Sequence, residues 1–166
     1  MTRLEILRAL RVAMADPTRV HDVAVLKGAL TGSRASARVE ARLDAVRGFH
    51  PVLDLDALAS LPSDTFGHAA AGFLRTHGLS PFVPGDRLAP ELLRENAFLA
   101  RYGAIHDLVH VLLGFGPDWP GEVGVWAFVG AQRWSWGMTS AAVVALLVSP
   151  LRVPLRLGDC WRAFRR

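Results

Sequence analysis

Lysine and cysteine are nearly absent from this 166-residue chain, with Lys27 the only lysine and Cys160 the only cysteine. One thiol cannot close an internal disulfide, which excludes a disulfide-stapled secreted scaffold and fits a reducing cytosol. Nothing around Cys160 argues for a nucleophile. The net charge of +4 therefore rests almost wholly on arginine, a skew that reflects coding bias more than function but still creates a positive surface field. Long apolar runs are also missing. The most apolar stretch, 141–148, stops at Pro150, and the longer window back to Val123 is broken by Gln132 and Arg133, so nothing reaches the roughly 20 residues of a membrane span. Strand-like alternation, internal repeats, low-complexity segments and nucleic-acid fold signatures are not found either.

What is present is helical periodicity. With 51% of its residues apolar and 20% charged, the chain is neither disordered nor a charged repeat, and it is long enough for one domain with a real core. Leu4, Leu7, Leu10 and Met14, then Val20, Val23, Leu26 and Leu30, recur at helical spacing. The amphipathic, arginine-bearing start is built as transit peptides are, but it contains Glu5 and is expected to be the first helix of the domain. Pro17 and Thr18 open a second helix that Thr31-Gly32-Ser33 ends, and a third spans 35–47 with Arg34, Arg38 and Arg42 on one stripe. Asp54 caps a short fourth helix, and Asp64 or Thr65 caps a fifth that Gly78 ends. Residues 79–88 read as a loop, Pro90 begins a helix running to the break at Gly114-Phe115-Gly116-Pro117, Pro120 starts the next to about Trp136, and Gly137 separates the last. The expectation is a single all-α domain over 1–166, a bundle of about seven or eight helices.

Inside that pattern stands His106-Asp107-Leu108-Val109-His110, followed after eleven residues by Glu122. On a helix, His110 lies about 40° round from His106 and roughly 6 Å along the axis, with Asp107 on the flank of the same arc. A returning helix after the glycine break can add Glu122 as a fourth ligand. The resulting two-nitrogen, two-oxygen site suits zinc and tolerates iron or manganese. The surrounding residues, Ile105, Leu108, Val109, Val111, Leu112 and Leu113, are apolar, so unpaired polar groups there would be costly to bury and a metal would offset that cost. Asp107 stands where the zinc-protease pattern has glutamate. A shorter carboxylate would not reach the same water, which argues against a protease.

The remaining polar residues read more plainly. His21-Asp22 and His50-Pro51 look like surface and loop residues, His68 a helix-surface residue, and His77 a helix C-terminal imidazole favoured by the dipole. Tyr102 and Gln132 lie close in sequence to the metal-bearing helices and can hydrogen-bond a ligand ring or carboxylate, beside the plainer reading as a core tyrosine and a surface glutamine. A second basic cluster, Arg152, Arg156, Arg162, Arg165 and Arg166, interleaves with Trp161 and Phe164, a composition suited to an anionic bilayer surface.

The spacing His-Asp-x-x-His-x11-Glu resembles that of the Coq4 family of ubiquinone biosynthesis proteins. The likeness continues through Leu61-Pro62-Ser63-Asp64-Thr65-Phe66-Gly67-His68, Phe73-Leu74, His77-Gly78-Leu79-Ser80-Pro81, residues 101–116, Gly121-Glu122 and Ala131-Gln132, and back to Leu10-Arg11-Val12 and Ala15-Asp16-Pro17. Two departures stand out: Ala69-Ala70-Ala71 where the family usually has an aromatic, and an end at Arg166 short of the family's usual length. The substrate pocket is accordingly expected to be altered or partly open.

The resemblance implies a metal-dependent lyase of coenzyme Q biosynthesis that removes the C1 carboxylate of a polyprenylated 4-hydroxybenzoate, coupled to hydroxylation at that carbon. His106, Asp107, His110 and Glu122 would be its ligands and catalytic groups, with zinc first and iron or manganese as alternatives. Phe66, Phe73, Tyr102, Trp126, Phe128 and Gln132 would meet the prenylated substrate, with small residues at Ala69-Ala70-Ala71-Gly72, Gly121, Gly124 and Gly130 leaving a tunnel for its tail. The rival implication is a prenyl-lipid-binding scaffold for other ubiquinone enzymes, with a structural metal. Either role implies a cytoplasmic, bacterial type of protein touching anionic membrane peripherally, without nucleic acid, and leaves a homodimer open.

Overall fold

The computed structural model describes residues 1–31, 34–47, 49, 51–83, 85, 87–149 and 165. Those residues form α1 (Arg3–Met14), α2 (Val20–Thr31), α3 (Ala37–Leu43), α4 (Leu55–Ala59), α5 (Phe66–Thr76), α6 (Pro90–Glu95), α7 (Ala97–Leu113), α8 (Trp119–Ala131) and α9 (Trp136–Val148), with no strand among them. The fold is all-α. It has nine helices among the described residues because the stretch expected as one helix from Pro90 breaks at Asn96 (φ −112°, ψ 34°), whose backbone N–H and side-chain amide both donate to Leu92 O at 3.0 and 2.8 Å. Asparagine competes for backbone carbonyls in this way without the warning that proline or glycine provides.

The helix ends follow local chemistry. Thr2 caps α1 in a reciprocal box with Glu5, Asp54 accepts from Asp56 N and Ala57 N ahead of α4, and Thr65 accepts from His68 N ahead of α5. Gly78 (φ +63°) follows α5, using the left-handed region open to glycine. Three boundaries differ from expectation. Pro17–Arg19 is a 3₁₀ turn preceding α2, and α3 is shorter than 35–47, so Arg34 lies outside the stripe formed by Arg38 and Arg42. Gly137 sits in the first turn of α9; the separation from α8 falls earlier, where Arg133 takes φ +53°.

The chain groups into two compact units, residues 1–52 with 81–105 and residues 53–80 with 106–166; α7 contributes to the first up to Ile105 and to the second from His106. In the first unit, Ile6 and Ala13 of α1 pack with Val25 and Leu26 of α2, Leu88 and Leu92. Asp22 corrects its reading as a surface residue: it is 2% exposed, held by Arg19 at 2.8 Å, and accepts the Gly85 N–H at 2.8 Å. A buried carboxylate is tolerated because it is paired and hydrogen-bonded. His21 acts beside it on Val83, with Nδ1 at 3.2 Å from the Val83 backbone N. His50 lies outside the described residues. In the second unit, α4 packs on α5 and α8 on α9, the latter pair through Val123 and Ala145 with Trp126 and Leu146.

Candidate metal centre

Sequence-local signals bring α7 and α8 together in the second unit. Gly114 (φ +71°) ends α7. The Phe115 N–H donates to His110 O at 3.0 Å and the Gly114 N–H to Val111 O at 3.3 Å, the paired bonds of a helix-ending glycine turn. Asp118 then caps α8 by accepting from Gly121 N at 3.0 Å, with Pro120 in the first turn. Gly121 permits the close return, since a Cβ on it would stand 1.8 Å from Gly116 O. Glu122, next in the chain, thereby faces the last turns of α7.

His106, His110 and Glu122 gather one donor atom each within 4.8 Å of one another. His106 Nε2 is 3.2 Å from Glu122 Oε2, and His110 Nε2 is 3.3 Å from Glu122 Oε1. Tetrahedral ligands about 2.1 Å from an ion are about 3.4 Å apart, so these spacings are close to those of a coordination shell. His110 carries the stronger argument. It is 1% exposed, its Nδ1 has no hydrogen-bond partner, and its Nε2 relies on the 3.3 Å contact to Glu122 Oε1, a burial that costs about 1–3 kcal/mol for an unsatisfied group. A divalent cation at the triad would take up Nε2. Two imidazoles and one carboxylate suit zinc, iron or manganese and leave coordination positions for a substrate.

Asp107 is not one of the three. Its Oδ1 lies 3.1 Å from His106 Nδ1, the position of a carboxylate that fixes a metal-binding imidazole's orientation and raises its basicity. Without an ion, burial opposes the charged form of His106, but hydrogen bonds to Asp107 and Glu122 outweigh it and push the imidazole up to about 9. Burial likewise opposes the charged form of Glu122, and its bonds to His106 and His110 bring it down to about 2.

The signs define a pH window. The raised His106 contributes stability that is complete below its ordinary 6.5 and lost as pH rises through about 9. The depressed Glu122 contributes stability present above its ordinary 4.5 and lost as pH falls through about 2. Because coordination needs the neutral ring, metal uptake at pH 7.5 is expected to release about one proton from His106. Calorimetric titration with zinc in buffers of different ionisation enthalpy measures this, and uptake without proton release would contradict the assignment.

The sequence profile of the Coq4 family, described as coenzyme Q (ubiquinone) biosynthesis protein Coq4, matches residues 4–155. The chain belongs to the Coq4 family. The ubiquinone biosynthesis protein COQ4 homologue of Bos taurus, named as mitochondrial, is 31% identical over 157 residues, covering 86% of this chain and 56% of that protein. The COQ4 protein of Eremothecium gossypii, also named as mitochondrial, is 36% identical over 107 residues, 62% of this chain and 31% of that one. This chain spans about half the length of several curated relatives it matches. A crystal structure of a Nostoc punctiforme protein assigned to ubiquinone biosynthesis matches with TM-score 0.59 at 21% identity, over 98% of this chain and 79% of that one, a likeness of fold.

The other expected site residues are dispersed. Phe73 of α5 stacks on His110 at 6.0 Å between ring centroids and meets the His77 ring at a tilt, 4.6 Å between centroids. Phe66 is exposed, Phe128 is half-buried, and Trp126 packs edge-on to Trp119 beside the α8 and α9 core. Gln132 caps the end of α8, and Tyr102 lies one turn before His106 on α7. His68 is half-buried rather than a plain surface residue, its Nδ1 3.0 Å from Leu61 O. Gly124 and Gly130 are used for close packing, whereas Gly72 is open: the Phe115 ring lies 2.6 Å from where a Cβ on Gly124 would be, and the Ala142 Cβ 2.6 Å from that on Gly130. A tail passing there would require those neighbours to move. Asp118, not singled out from the sequence, and Gly121, read there as a small tunnel residue, position Glu122; the Asp-x-Pro-Gly pattern was the available signal.

Proposed function

We propose that this Coq4-family chain is a metal-dependent enzyme acting on a polyprenylated 4-hydroxybenzoate, removing its C1 carboxylate with coupled hydroxylation of that carbon. One observation supports this most: His110, buried with its Nδ1 unpartnered and its Nε2 set against Glu122, converges with His106 and Glu122. A divalent cation held by these three residues would supply Lewis-acid stabilisation of carboxylate and phenolate charge, and a redox-active one, iron or manganese, would also suit the two-electron oxidation in which the carboxylate leaves as carbon dioxide, water supplies the hydroxyl oxygen and dioxygen is reduced to hydrogen peroxide. The chain's own residues prepare the place. Asp107 orients the His106 ring, Glu122 offers one carboxylate oxygen to each imidazole, and Phe73 covers the face of His110.

Because a prenylated ring resides in a bilayer, the reading includes peripheral attachment to anionic membrane. Of the terminal cluster expected to mediate it, Arg165 is described, whereas Arg152, Arg156, Trp161, Arg162, Phe164 and Arg166 lie outside the described residues, as does Cys160.

Purified protein loaded with iron or manganese is expected to convert a short-chain prenylated 4-hydroxybenzoate under air to the C1-hydroxylated, decarboxylated product, read by mass spectrometry. Glu122→Gln should abolish conversion with the helical fold intact. A protein that retains metal and binds the prenylated ring but never converts it would instead support the scaffold reading.

A further inference from the structure

The exposed face of α1 resembles neither a solvated helix surface nor an ordinary scatter of apolar residues. Ile6 and Ala13 point into the core of the first unit. At about 100° per residue, Leu4, Leu7 and Met14 lie on the opposite side, within an arc of roughly 80° that also holds Arg11. These three apolar side chains are 59%, 57% and 64% exposed. Arg3 and Arg8 flank the same arc. Contiguous apolar exposure rimmed by charge marks an interaction surface.

The charge pattern selects the partner. None of Arg3, Arg8 and Arg11 is ion-paired among the described residues. The helix's one acid, Glu5, is committed to its N-terminus, accepting the Thr2 N–H at 2.8 Å. A second copy docking through the same face would bring three further unpaired arginines against these. An anionic lipid surface supplies the missing charge and accepts the leucines: arginine stems lie along an apolar surface while their heads reach phosphate.

We infer that the Leu4, Leu7, Arg11 and Met14 face of α1 is the element by which this protein lies on an anionic phospholipid bilayer. The inference rests on the peripheral-attachment reading above and names its contact surface, with α1 in the plane of the interface, arginines at headgroup level and leucines at the acyl boundary.

Flotation of the full chain with vesicles of phosphatidylglycerol and phosphatidylcholine tests it. Wild-type protein is expected to float at low salt, and to float poorly with pure phosphatidylcholine or in 0.5 M salt (about 4 Å Debye length). Arg8→Gln with Arg11→Gln should lower partitioning about 30-fold, from roughly fivefold per arginine near an anionic surface. Leu4→Ser with Leu7→Ser should weaken it even at low salt. Both pairs are exposed, so circular dichroism and melting should match wild type. Wild-type protein that never floats overturns the attachment reading and this inference together. Wild-type flotation unchanged in both variants overturns the α1 assignment alone, leaving attachment to another surface. A concentration-dependent dimer that the leucine pair dissolves, without vesicle binding, would assign the face to self-association and also overturn it.

Discussion

His110→Ala is expected to abolish stoichiometric metal binding. The free energy of a tight zinc site, about 10–16 kcal/mol, divides to roughly 3–4 kcal/mol per ligand, so losing one lowers affinity more than 100-fold. Metal analysis after dialysis, together with competition titration against a chelator, measures the change. Asp107→Asn should be milder, about 10–100-fold, because it disturbs the orientation and basicity of His106 rather than removing a donor from the triad. The metal-free proteins carry a second expectation. Truncating a buried ring ordinarily costs about 3–5 kcal/mol, but His110→Ala also removes the unsatisfied Nδ1, a burden of about 1–3 kcal/mol. Its metal-free destabilisation should therefore fall below that of an apolar ring of similar burial. Wild-type metal content in His110→Ala would falsify the site.

Gly121→Ala is expected to combine a stability loss with a site defect. The new methyl carbon would stand 1.8 Å from Gly116 O and 2.9 Å from Asp118 Oδ1. A backbone carbonyl cannot step aside as a flexible side chain can, so the connection between α7 and α8 must shift. Overpacking of this kind costs about 1–3 kcal/mol, or roughly 2–12 °C in melting temperature at this chain length. Metal affinity should fall with it because Glu122 is the next residue. Gly72→Ala provides the opposite sign: nothing lies within 4 Å of its added Cβ, on an exposed position of α5, and the gain should be about 0.5–1 kcal/mol. Thermal melts of the two variants beside wild type, with zinc titration, separate close approach from helix propensity. Equal melting temperatures would show that Gly121 is not a contact point.

Much of the helical layout was legible because its determinants are local. Apolar spacing marks α1 and α2, the side chains of Asp54 and Thr65 mark where α4 and α5 begin, and Gly78 and Gly114 mark turns that need positive φ. The break at Asn96 was not legible, since its amide bond to Leu92 O is one of several conformations that an asparagine in a helical pattern can adopt. Nor was the burial of Asp22, whose partner Gly85 lies 63 residues away.

The candidate site divides along the same line. Sequence alone determined that His106 and His110 share a helix face and that Glu122 follows a sharp return, because helical pitch and glycine turns act over a few residues. Only the tertiary structure decided which carboxylate faces the imidazoles. The Gly116 and Gly121 approach turns Glu122 toward both rings, while Asp107, one residue along from His106, reaches its Nδ1 instead. It also decided that His110 is sealed from solvent under Phe73 while His106 stays partly open. Burial of that kind comes from the packing of α5, α7 and α8, whose side chains meet only after the chain has folded back on itself.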